Sequence, residues 1–156
     1  MSEMQEFISQ VKGDFTPEQA AMLRQYNQRL AEEFRSGNGK VEGDFANAPL
    51  GLLTSLGAKS GKSHVTPLVY SRDGENYVIA ASKAGLDTNP AWYFNLLAHP
   101  DTQFEVGGQV IQVRAELAEG AERQRLFEQH ASGMPFFRDY QQKTAREIPV
   151  FVLKPR

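Results

Sequence analysis

Residues 52–70 read LLTSLGAKSGKSHVTPLVY, which is two β-type runs joined by a short polar loop. The flanking runs are rich in apolar and β-branched residues, as strands are. The loop, residues 57–63, carries two glycines and two lysines. Glycine lets the backbone fold closely enough for its N–H groups to point at one spot, and lysine adds positive charge there. The stretch therefore predicts a strand, a phosphate-binding loop and a second strand, and we name residues 57–63 the anion loop.

The glycines do not form either of the common nucleotide-binding motifs. The phosphate loop of nucleotide hydrolases needs four residues between its glycines and a helix after them. Only three residues separate Gly57 from Gly61, and Pro67 in the following run would break a helix. Gly37 and Gly39 follow a helical pattern rather than a strand, which excludes the dinucleotide fingerprint as well. The anion loop therefore belongs to neither class.

The composition limits the classes of partner and site. A chain of 156 residues can bury a sizeable core, and its formal net charge of −2 argues against nucleic-acid binding. The absence of cysteine excludes disulfides, thiolate metal sites and a cysteine nucleophile. The histidines lack metal-ligand spacing, so we predict no metal site, and His130 is expected on a solvated helix face. Without a secretory signal or an apolar run of about 18 residues, we expect a cytoplasmic protein without stable membrane insertion.

Helical signals mark the first third of the chain. TPEQ at residues 16–19 provides a threonine N-cap, a proline at the first helical position and a glutamine that completes a capping box. Apolar residues then recur at helical spacing until Gly37, a helix-ending residue. The chain is predicted to be a single domain over residues 1–156. Residues 1–43 are predicted to be a helical extension, and residues 44–156 the core that carries the anion loop.

Strand patterns dominate the remainder of the chain. Residues 65–70 and 77–82 flank an Asp-Gly pair typical of a hairpin turn, and the glycines at residues 107–108 are a second hairpin signal. Residues 109–117 alternate apolar with polar side chains, and residues 149–153 form a short apolar run typical of a strand buried on both faces. Six strands with a few helices predict a mainly β (α+β) domain, a small six-stranded antiparallel barrel with N-terminal and peripheral helices.

Two further segments complete a pattern that is specific in order and spacing. AASKAG at residues 80–85 lies at a strand end, and NPAWYFN at residues 89–95 lies at a helix start. With the anion loop, the Thr-Pro-Leu of residues 66–68 and the segment 140–150, they resemble the deazaflavin-dependent nitroreductase family. The resemblance covers about two thirds of the chain, from Pro49 onward. It implies a split β-barrel oxidoreductase that binds the deazaflavin coenzyme F420.

The resemblance also implies which residues form the coenzyme site. Lys59, Ser60 and Gly61 would hold the phosphate and the acidic tail, and the second strand would line the coenzyme. Tyr140 and Ser82 are the candidate catalytic residues, with Tyr140 as the proton donor. The predicted coenzyme-binding residues are Ala58, Lys59, Ser60, Gly61, His64, Val65, Thr66, Pro67, Leu68, Val69, Ala80, Ala81, Ser82, Lys83, Ala91, Trp92, Tyr93, Asn95 and Phe137.

The sequence departs from the pattern of that family at several positions. Ala58 stands where the family commonly has arginine, and His64, at another position often taken by arginine, is expected to compensate in part. Met134 and Phe137 stand where some nitroreductases place tyrosine. These departures argue against nitro-prodrug activation and leave coenzyme binding intact.

The predicted function is hydride transfer from reduced F420 to activated double bonds of planar apolar acceptors. Quinones, enones, unsaturated lactones of the coumarin type and nitroaromatics are the candidates. Two alternatives stay open: an FMN-dependent oxidoreductase of the same barrel architecture, and a non-catalytic protein that carries the deazaflavin. FMN has one phosphate and no acidic tail, so the additional cations of Lys62 and Lys83 favour F420. The expected partners are a hydrophobic acceptor and, because related barrels often pair, a second copy in a homodimer.

Overall fold

Antiparallel strands with helices around them account for most of the chain. The computed structural model describes residues 3–156, without the side chains of Glu3 and Gln5, so the first two residues of the predicted extension lie outside the described residues. The helices are α1 (Glu3–Ser9), α2 (Pro17–Ser36), α3 (Ala91–Ala98), α4 (Gly120–Gly133) and α5 (Phe136–Lys143). Short 3₁₀ turns occupy Gly43–Phe45 and Lys83–Gly85. The strands are β1 (Leu50–Leu56), β2 (Ser63–Val69), β3 (Ser71–Asp73), β4 (Asn76–Ala80), β5 (Asp101–Val106), β6 (Gln109–Leu117) and β7 (Val150–Pro155).

The strands of residues 3–156 form one seven-stranded sheet in the order β2-β1-β5-β6-β7-β4-β3, with neighbouring strands antiparallel. Its two edge strands, β2 and β3, are separated in sequence by Tyr70 alone. The two edges must therefore lie close together, and the sheet curls into a barrel that is split between β2 and β3. The predicted mainly β class with peripheral helices is confirmed.

The predicted strand number and one predicted pairing are wrong. The described residues contain seven strands rather than six, because the Asp73-Gly74 turn joins the short strand β3 to β4. Residues 65–70, the predicted partner of β4, belong mainly to β2, which pairs with β1 instead. The chain changes partner at Tyr70, whose N–H donates to the Pro49 carbonyl (2.9 Å) beside the start of β1. The anion loop is therefore the turn of the β1–β2 hairpin.

Side-chain alternation on the central strands divides the core into an inner and an outer cluster. On β4, Ile79 belongs to the inner cluster within the barrel, whereas Val78 belongs to the outer cluster beneath α4 and α5. Strand β7 alternates in the same way, so the predicted final strand is buried on both faces over its first four residues. A third cluster joins Leu30 and Phe34 of α2 to Leu52 of β1.

Helix α2 begins and ends where the sequence predicts. The Thr16 Oγ1 accepts from the Gln19 N–H (3.1 Å), and the Gln19 Oε1 accepts from the Thr16 N–H (3.0 Å). Gly37 is the C-cap. Helix α1 was not predicted; its Phe7 stacks on Phe15 at 5.8 Å between ring centroids. Within residues 3–156, none of the helices combines the length and the apolar character that crossing a bilayer requires.

His130 is completely buried, so the predicted solvated position is wrong. Its Nδ1 lies 2.7 Å from the Ser71 Oγ, and its ring centroid lies 4.4 Å from that of Phe137. The residue shares the inward stripe of α4 with Phe127 and continues it toward Met134 at helical spacing, which places the imidazole in the outer cluster. Burial lowers the pKa of His130 to about 4, because the charged form loses its hydration.

Candidate functional site

The anion loop is a compact turn that closes on its own backbone. The Gly57 N–H donates to the Lys62 carbonyl (2.8 Å), and the Gly61 N–H donates to the Gly57 carbonyl (2.9 Å). The Lys62 N–H donates to the Ser60 Oγ (3.1 Å). A Cβ at Gly57 would overlap the Ser60 Oγ, and Gly61 has a φ of 70°. Glycine at both positions therefore follows from the shape of the turn.

Two N–H groups and two ammonium groups of the anion loop are free to bind a ligand. Among the residues that the structure describes, none accepts from the N–H of Lys59 or of Ser60. The Lys59 and Lys62 side chains are exposed and form no ion pair within the described part of the chain. The N–H groups of Gly57, Gly61 and Lys62 bond within the turn and that of Ala58 bonds Asn95, so the binding capacity is smaller than the sequence suggests. The donor set that is left still fits a phosphate or a carboxylate.

Asn95 of α3 holds the start of the anion loop. Its Oδ1 accepts from the Ala58 N–H (3.0 Å), and its Nδ2 donates to the Ser55 Oγ (3.2 Å). The residue is buried. Asn95 was predicted to bind the coenzyme; in the structure its side chain binds the loop that would bind the coenzyme.

Strand β2 carries the residues that were predicted to line the coenzyme. It is an edge strand on which His64 is exposed and residues 65–69 are half-buried. A Cβ at Gly57 would lie 3.4 Å from the His64 Nε2, so the imidazole leans over the anion loop. That position is suited to the predicted compensation for the arginine missing at Ala58, which stays a prediction.

Between β4 and α3, residues 81–90 form a turn with an uncommon backbone, which we name the β4–α3 loop. The φ angles of Lys83, Ala84 and Gly85 are 47°, 55° and 78°. The left-handed region is disfavoured for residues with a Cβ, so contacts elsewhere have to hold this conformation. Gly85 packs against α5, since a Cβ there would lie 2.7 Å from the Tyr140 carbonyl oxygen.

Arg146 holds the β4–α3 loop from the segment that precedes β7. Its Nη1 donates to the Ala81 carbonyl (3.1 Å) and the Asn89 Oδ1 (2.8 Å), its Nη2 to the Ser82 carbonyl (2.7 Å) and its Nε to the Leu86 carbonyl (2.9 Å). No pattern in the sequence assigned a role to Arg146, although the residue lies within the segment that carries the family resemblance. Its acceptors lie 57 to 65 residues earlier in the chain, beyond the reach of any local pattern.

Lys83 already has an anionic partner. Its Nζ lies 2.9 Å from the Asp14 Oδ1 and donates to the Thr88 Oγ1 (2.8 Å), which in turn donates to the Asp14 Oδ2 (2.7 Å). The hydrogen bond from Lys83 is the main cause that lowers the pKa of the Asp14 carboxyl. The ammonium is therefore not a free charge for a ligand, unlike those of Lys59 and Lys62. The sequence offered no signal for this contact, because Asp14 precedes α2.

The end of β4 offers a ligand one hydroxyl group. The Ala80 and Ala81 side chains are buried, in the outer and the inner cluster respectively. Ser82 is 8% exposed, and its hydroxyl bonds no residue in the described ranges. A coenzyme ring placed here would meet the backbone and the Ser82 Oγ.

Helix α3 contributes aromatic residues that close the barrel. Trp92 belongs to the inner cluster, with its ring centroid 6.0 Å from that of Phe151. Tyr93 is half-buried and contacts the same phenylalanine at 5.8 Å, whereas Ala91 is exposed. The indole is thus mainly a core residue, and its contact with a coenzyme stays a prediction.

Helix α5 supplies the candidate proton donor. Tyr140 is half-buried, and its hydroxyl bonds no residue of the described chain. Burial raises the pKa of its phenol, with a smaller contribution from the charge of Asp139. Met134 and Phe137, which stand where some nitroreductases place tyrosine, are buried in the outer cluster, and the predicted contact of Phe137 with the coenzyme stays a prediction. The apolar surface at this end is formed by Phe136, which is 41% exposed, together with the Tyr140 ring.

Helix α3 connects the two parts of the candidate site. It starts at the end of the β4–α3 loop, and its Asn95 bonds the anion loop. A cation-rich turn at one end and a hydroxyl, a phenol and aromatic rings at the other fit a coenzyme with an acidic tail and a planar ring.

Comparison with known proteins establishes the class of this protein. Residues 26–155 match the family described as F420H(2)-dependent quinone reductase. The chain belongs to that family. A relative from Mycobacterium tuberculosis, provisionally named an F420H(2)-dependent quinone reductase, is 41% identical over 108 residues, which are 69% of this chain and 91% of the relative. Membership of the F420H(2)-dependent quinone reductase family confirms the predicted oxidoreductase class and coenzyme F420 in preference to FMN.

Two solved structures support the same assignment for the fold. One, described as an F420-H2 dependent reductase, is 37% identical, covers 68% of this chain and 94% of its own, and has a TM-score of 0.64. The other, described as a domain-swapped dimer, is 33% identical, covers 86% of this chain and 98% of its own, and has a TM-score of 0.65. The homodimer and the cytoplasmic location of this chain stay predictions.

We expect Asn95→Leu to weaken coenzyme binding by loosening the anion loop. Leucine is similar in size but leaves the Ala58 N–H and the Ser55 hydroxyl without their partner, a loss of about 1–3 kcal/mol. The F420 dissociation constant and the melting temperature report the two consequences. Asn95→Asp, which can still accept from the Ala58 N–H, is the matched control and should retain part of the affinity. Wild-type affinity in Asn95→Leu would contradict the role assigned to this residue.

Proposed function

We propose that this quinone reductase holds the acidic tail of F420 in the anion loop and reduces planar apolar acceptors at the other end of the site. The observation that carries the proposal is the donor set of the loop. The N–H groups of Lys59 and Ser60 and the ammonium groups of Lys59 and Lys62 have no partner in the described chain. Fixed N–H donors next to cations are the usual binding site of phosphates and carboxylates.

The reduced deazaflavin, when bound, supplies the hydride, so the protein has to orient the ring and the acceptor and deliver a proton. In this proposal the backbone at Ala80 and Ala81 and the Ser82 hydroxyl lie against the ring. Reduction of a quinone also requires a proton at the oxygen that becomes negative. The Tyr140 phenol is protonated at neutral pH, and burial raises its pKa further, so Tyr140 can donate that proton or a hydrogen bond. The Ser82 hydroxyl is the second candidate.

Lys59→Ala is expected to weaken F420 binding by about 1.5–3 kcal/mol, the usual range for a hydrogen bond to a charged group. Affinity in the wild type should fall with ionic strength, because part of the attraction is between exposed charges. Lys83→Met should have a smaller effect, since the Lys83 ammonium is already bonded to Asp14. The measurement is a coenzyme titration at two salt concentrations.

Lys154→Ala provides the matched control for these charge substitutions. Lys154 also carries an exposed ammonium, but it pairs with Glu116 (2.6 Å) on the strands β6 and β7. We expect it to leave the F420 affinity unchanged. Equal affinities of wild type and Lys59→Ala would remove the anion loop from the site.

A parallel titration with F420 and FMN, followed by turnover with a quinone, tests the proposed function itself. Tight binding of F420 and weak binding of FMN are expected, because FMN lacks the acidic tail that the second cation of the loop would bind. Quinone reduction by F420H2 separates the enzyme from a protein that only carries the coenzyme. Binding without turnover for every quinone tested would favour the carrier.

The acceptor range is expected to be broad among planar apolar molecules. Phe136 and the Tyr140 ring form an apolar surface with few polar groups, and such a surface distinguishes similar apolar molecules only weakly. Quinones, enones and coumarin-type lactones should differ by about 10-fold in kcat/KM. Nitroaromatics should be slower, because Phe136, the exposed side chain of this surface, offers no hydroxyl to a nitro group. A panel of acceptors with F420H2 under identical conditions checks this, and a strong preference for a small charged acceptor would contradict it.

A further inference from the structure

The Arg146 guanidinium bonds the β4–α3 loop rather than an acidic side chain. It donates to three backbone carbonyls and one side-chain amide oxygen at 2.7–3.1 Å. Within residues 3–156, it forms no ion pair with a carboxylate. Its hydrogen bonds therefore mainly hold the backbone of the loop.

The acceptors of Arg146 come from both ends of the loop. Ala81 and Ser82 lie where β4 ends, and Leu86 and Asn89 lie shortly before α3. A planar guanidinium has five donors in a fixed arrangement and can bridge such a set, whereas the single ammonium of lysine cannot. This is a geometric reason for arginine at this position.

The backbone between those ends has a conformation that needs support. Lys83 and Ala84 have positive φ angles although they carry a Cβ. The backbone of the turn is closed by two short-range bonds, from the Gly85 N–H to the Ser82 carbonyl (2.9 Å) and from the Leu86 N–H to the Lys83 carbonyl (3.1 Å). Without hydrogen bonds that join its two ends, such a turn would relax toward right-handed or extended φ and ψ angles.

Other bonds also hold this loop. The Ala81 N–H donates to the Pro149 carbonyl (2.8 Å), Lys83 and Thr88 bond Asp14, and two further side-chain bonds are exposed. The Lys143 Nζ donates to the Ala84 carbonyl (3.1 Å), and the Thr144 Oγ1 donates to the Asp87 Oδ1 (2.9 Å). Water competes with both of these bonds. Arg146 is half-buried and makes four hydrogen bonds to the loop, whereas Lys143 and Thr144 make one each. It is therefore the main connection between this loop and the chain before β7.

We propose that Arg146 is a positioning residue of the coenzyme site. It would not touch the coenzyme; it would fix the Ser82 hydroxyl and the backbone on either side of it where the deazaflavin ring lies. The inference rests on the proposed function, in which the β4–α3 loop contacts F420.

The first test compares wild type, Arg146→Lys and Arg146→Ala in F420H2 binding and in quinone reduction. Trp92 is the single tryptophan of the chain and lies on α3, which connects the two parts of the candidate site, so a change in its fluorescence is the binding readout. We expect kcat/KM for F420H2 to fall on the order of 10²-fold in both variants, the loss typical of a misplaced reacting group. Millimolar guanidinium should restore part of the affinity of Arg146→Ala, because it can occupy the vacated donor positions.

The second test uses the protein without coenzyme. Amide hydrogen exchange at Gly85 and Leu86 should be faster in the Arg146 variants than in wild type. Arg123→Ala is the matched control, because Arg123 is also buried and donates to the Ile148 carbonyl (2.7 Å) and the Gln141 Oε1 (2.9 Å) outside the loop. Both substitutions should lower the melting temperature, but only those at Arg146 should accelerate exchange in the loop and weaken coenzyme binding.

Wild-type exchange and wild-type affinity in folded Arg146→Lys would overturn the positioning role. An equal loss of affinity in Arg123→Ala would overturn it too, since the effect would then follow stability alone. Both results leave the proposed function intact if the wild type binds F420 and reduces quinones. Failure of the wild type to bind F420 would overturn the proposed function and this inference together.

Discussion

Tyr140→Phe is expected to lower the turnover of quinone reduction by about 10²-fold or more, with little change in F420 affinity. The phenol is half-buried and protonated at neutral pH, and burial raises its pKa further. Phenylalanine retains the ring contacts with Phe136 and Phe137, at 5.5 and 5.7 Å between centroids, so the fold should be unaffected. Single-turnover kinetics with preformed F420H2 complex measure the effect on the chemical step.

Tyr70→Phe is the matched control for the loss of a phenol hydroxyl. Tyr70 is also half-buried among aromatic rings, but it joins β2 to β3 and contacts Tyr77 and Phe104. It should retain wild-type turnover. If Tyr140→Phe also retains it, Tyr140 is a packing residue, and Ser82→Ala then decides between the Ser82 hydroxyl and water as the proton source.

His130 is expected to make the folded state sensitive to mildly acidic pH. Its pKa is about 4 in the folded protein, compared with an ordinary value of 6.5. The unfolded chain therefore binds a proton at higher pH than the folded chain does, so stability falls as the pH drops below about 7 and the loss levels off below about 4. This residue alone should make the protein about 2.5 kcal/mol less stable at pH 4.5 than at pH 7.5. Urea unfolding at the two pH values measures the difference.

His130→Gln should remove most of that pH dependence. Glutamine does not titrate and can still bond the Ser71 hydroxyl, although some stability is lost at every pH because the ring contact with Phe137 disappears. His99→Gln, at the C-terminal end of α3, is the control and should behave as wild type. The lowered pKa values of Asp14 and Asp73 add losses only below about 4, outside this window. An unchanged slope in His130→Gln would contradict the assignment.

Local signals predicted the elements whose ends are set by neighbouring residues. The capping box of Thr16 and Gln19 and the C-cap Gly37 gave the bounds of α2, because each contact spans only a few residues. Alternation of side chains likewise predicted β6, and a short continuous apolar run predicted the final strand. The seventh strand was missed since β3 has three residues, and the pairing of β2 with β1 was missed since a hairpin signal marks a turn without saying where its arms end.

Contiguous residues were enough to predict the class of the protein and the position of the anion loop. Glycine spacing, lysines and the segments around them are local features, and the chemistry of an anion site follows from residue type. Which of these groups are free depends on the folded chain, which joins Lys83 to Asp14, uses Asn95 to hold the loop, and buries His130 and Phe137. It also brings Arg146 to a loop about 60 residues away in sequence. Charge, hydrogen bonding and burial depend on which neighbours the fold supplies, and these neighbours are not adjacent in the chain.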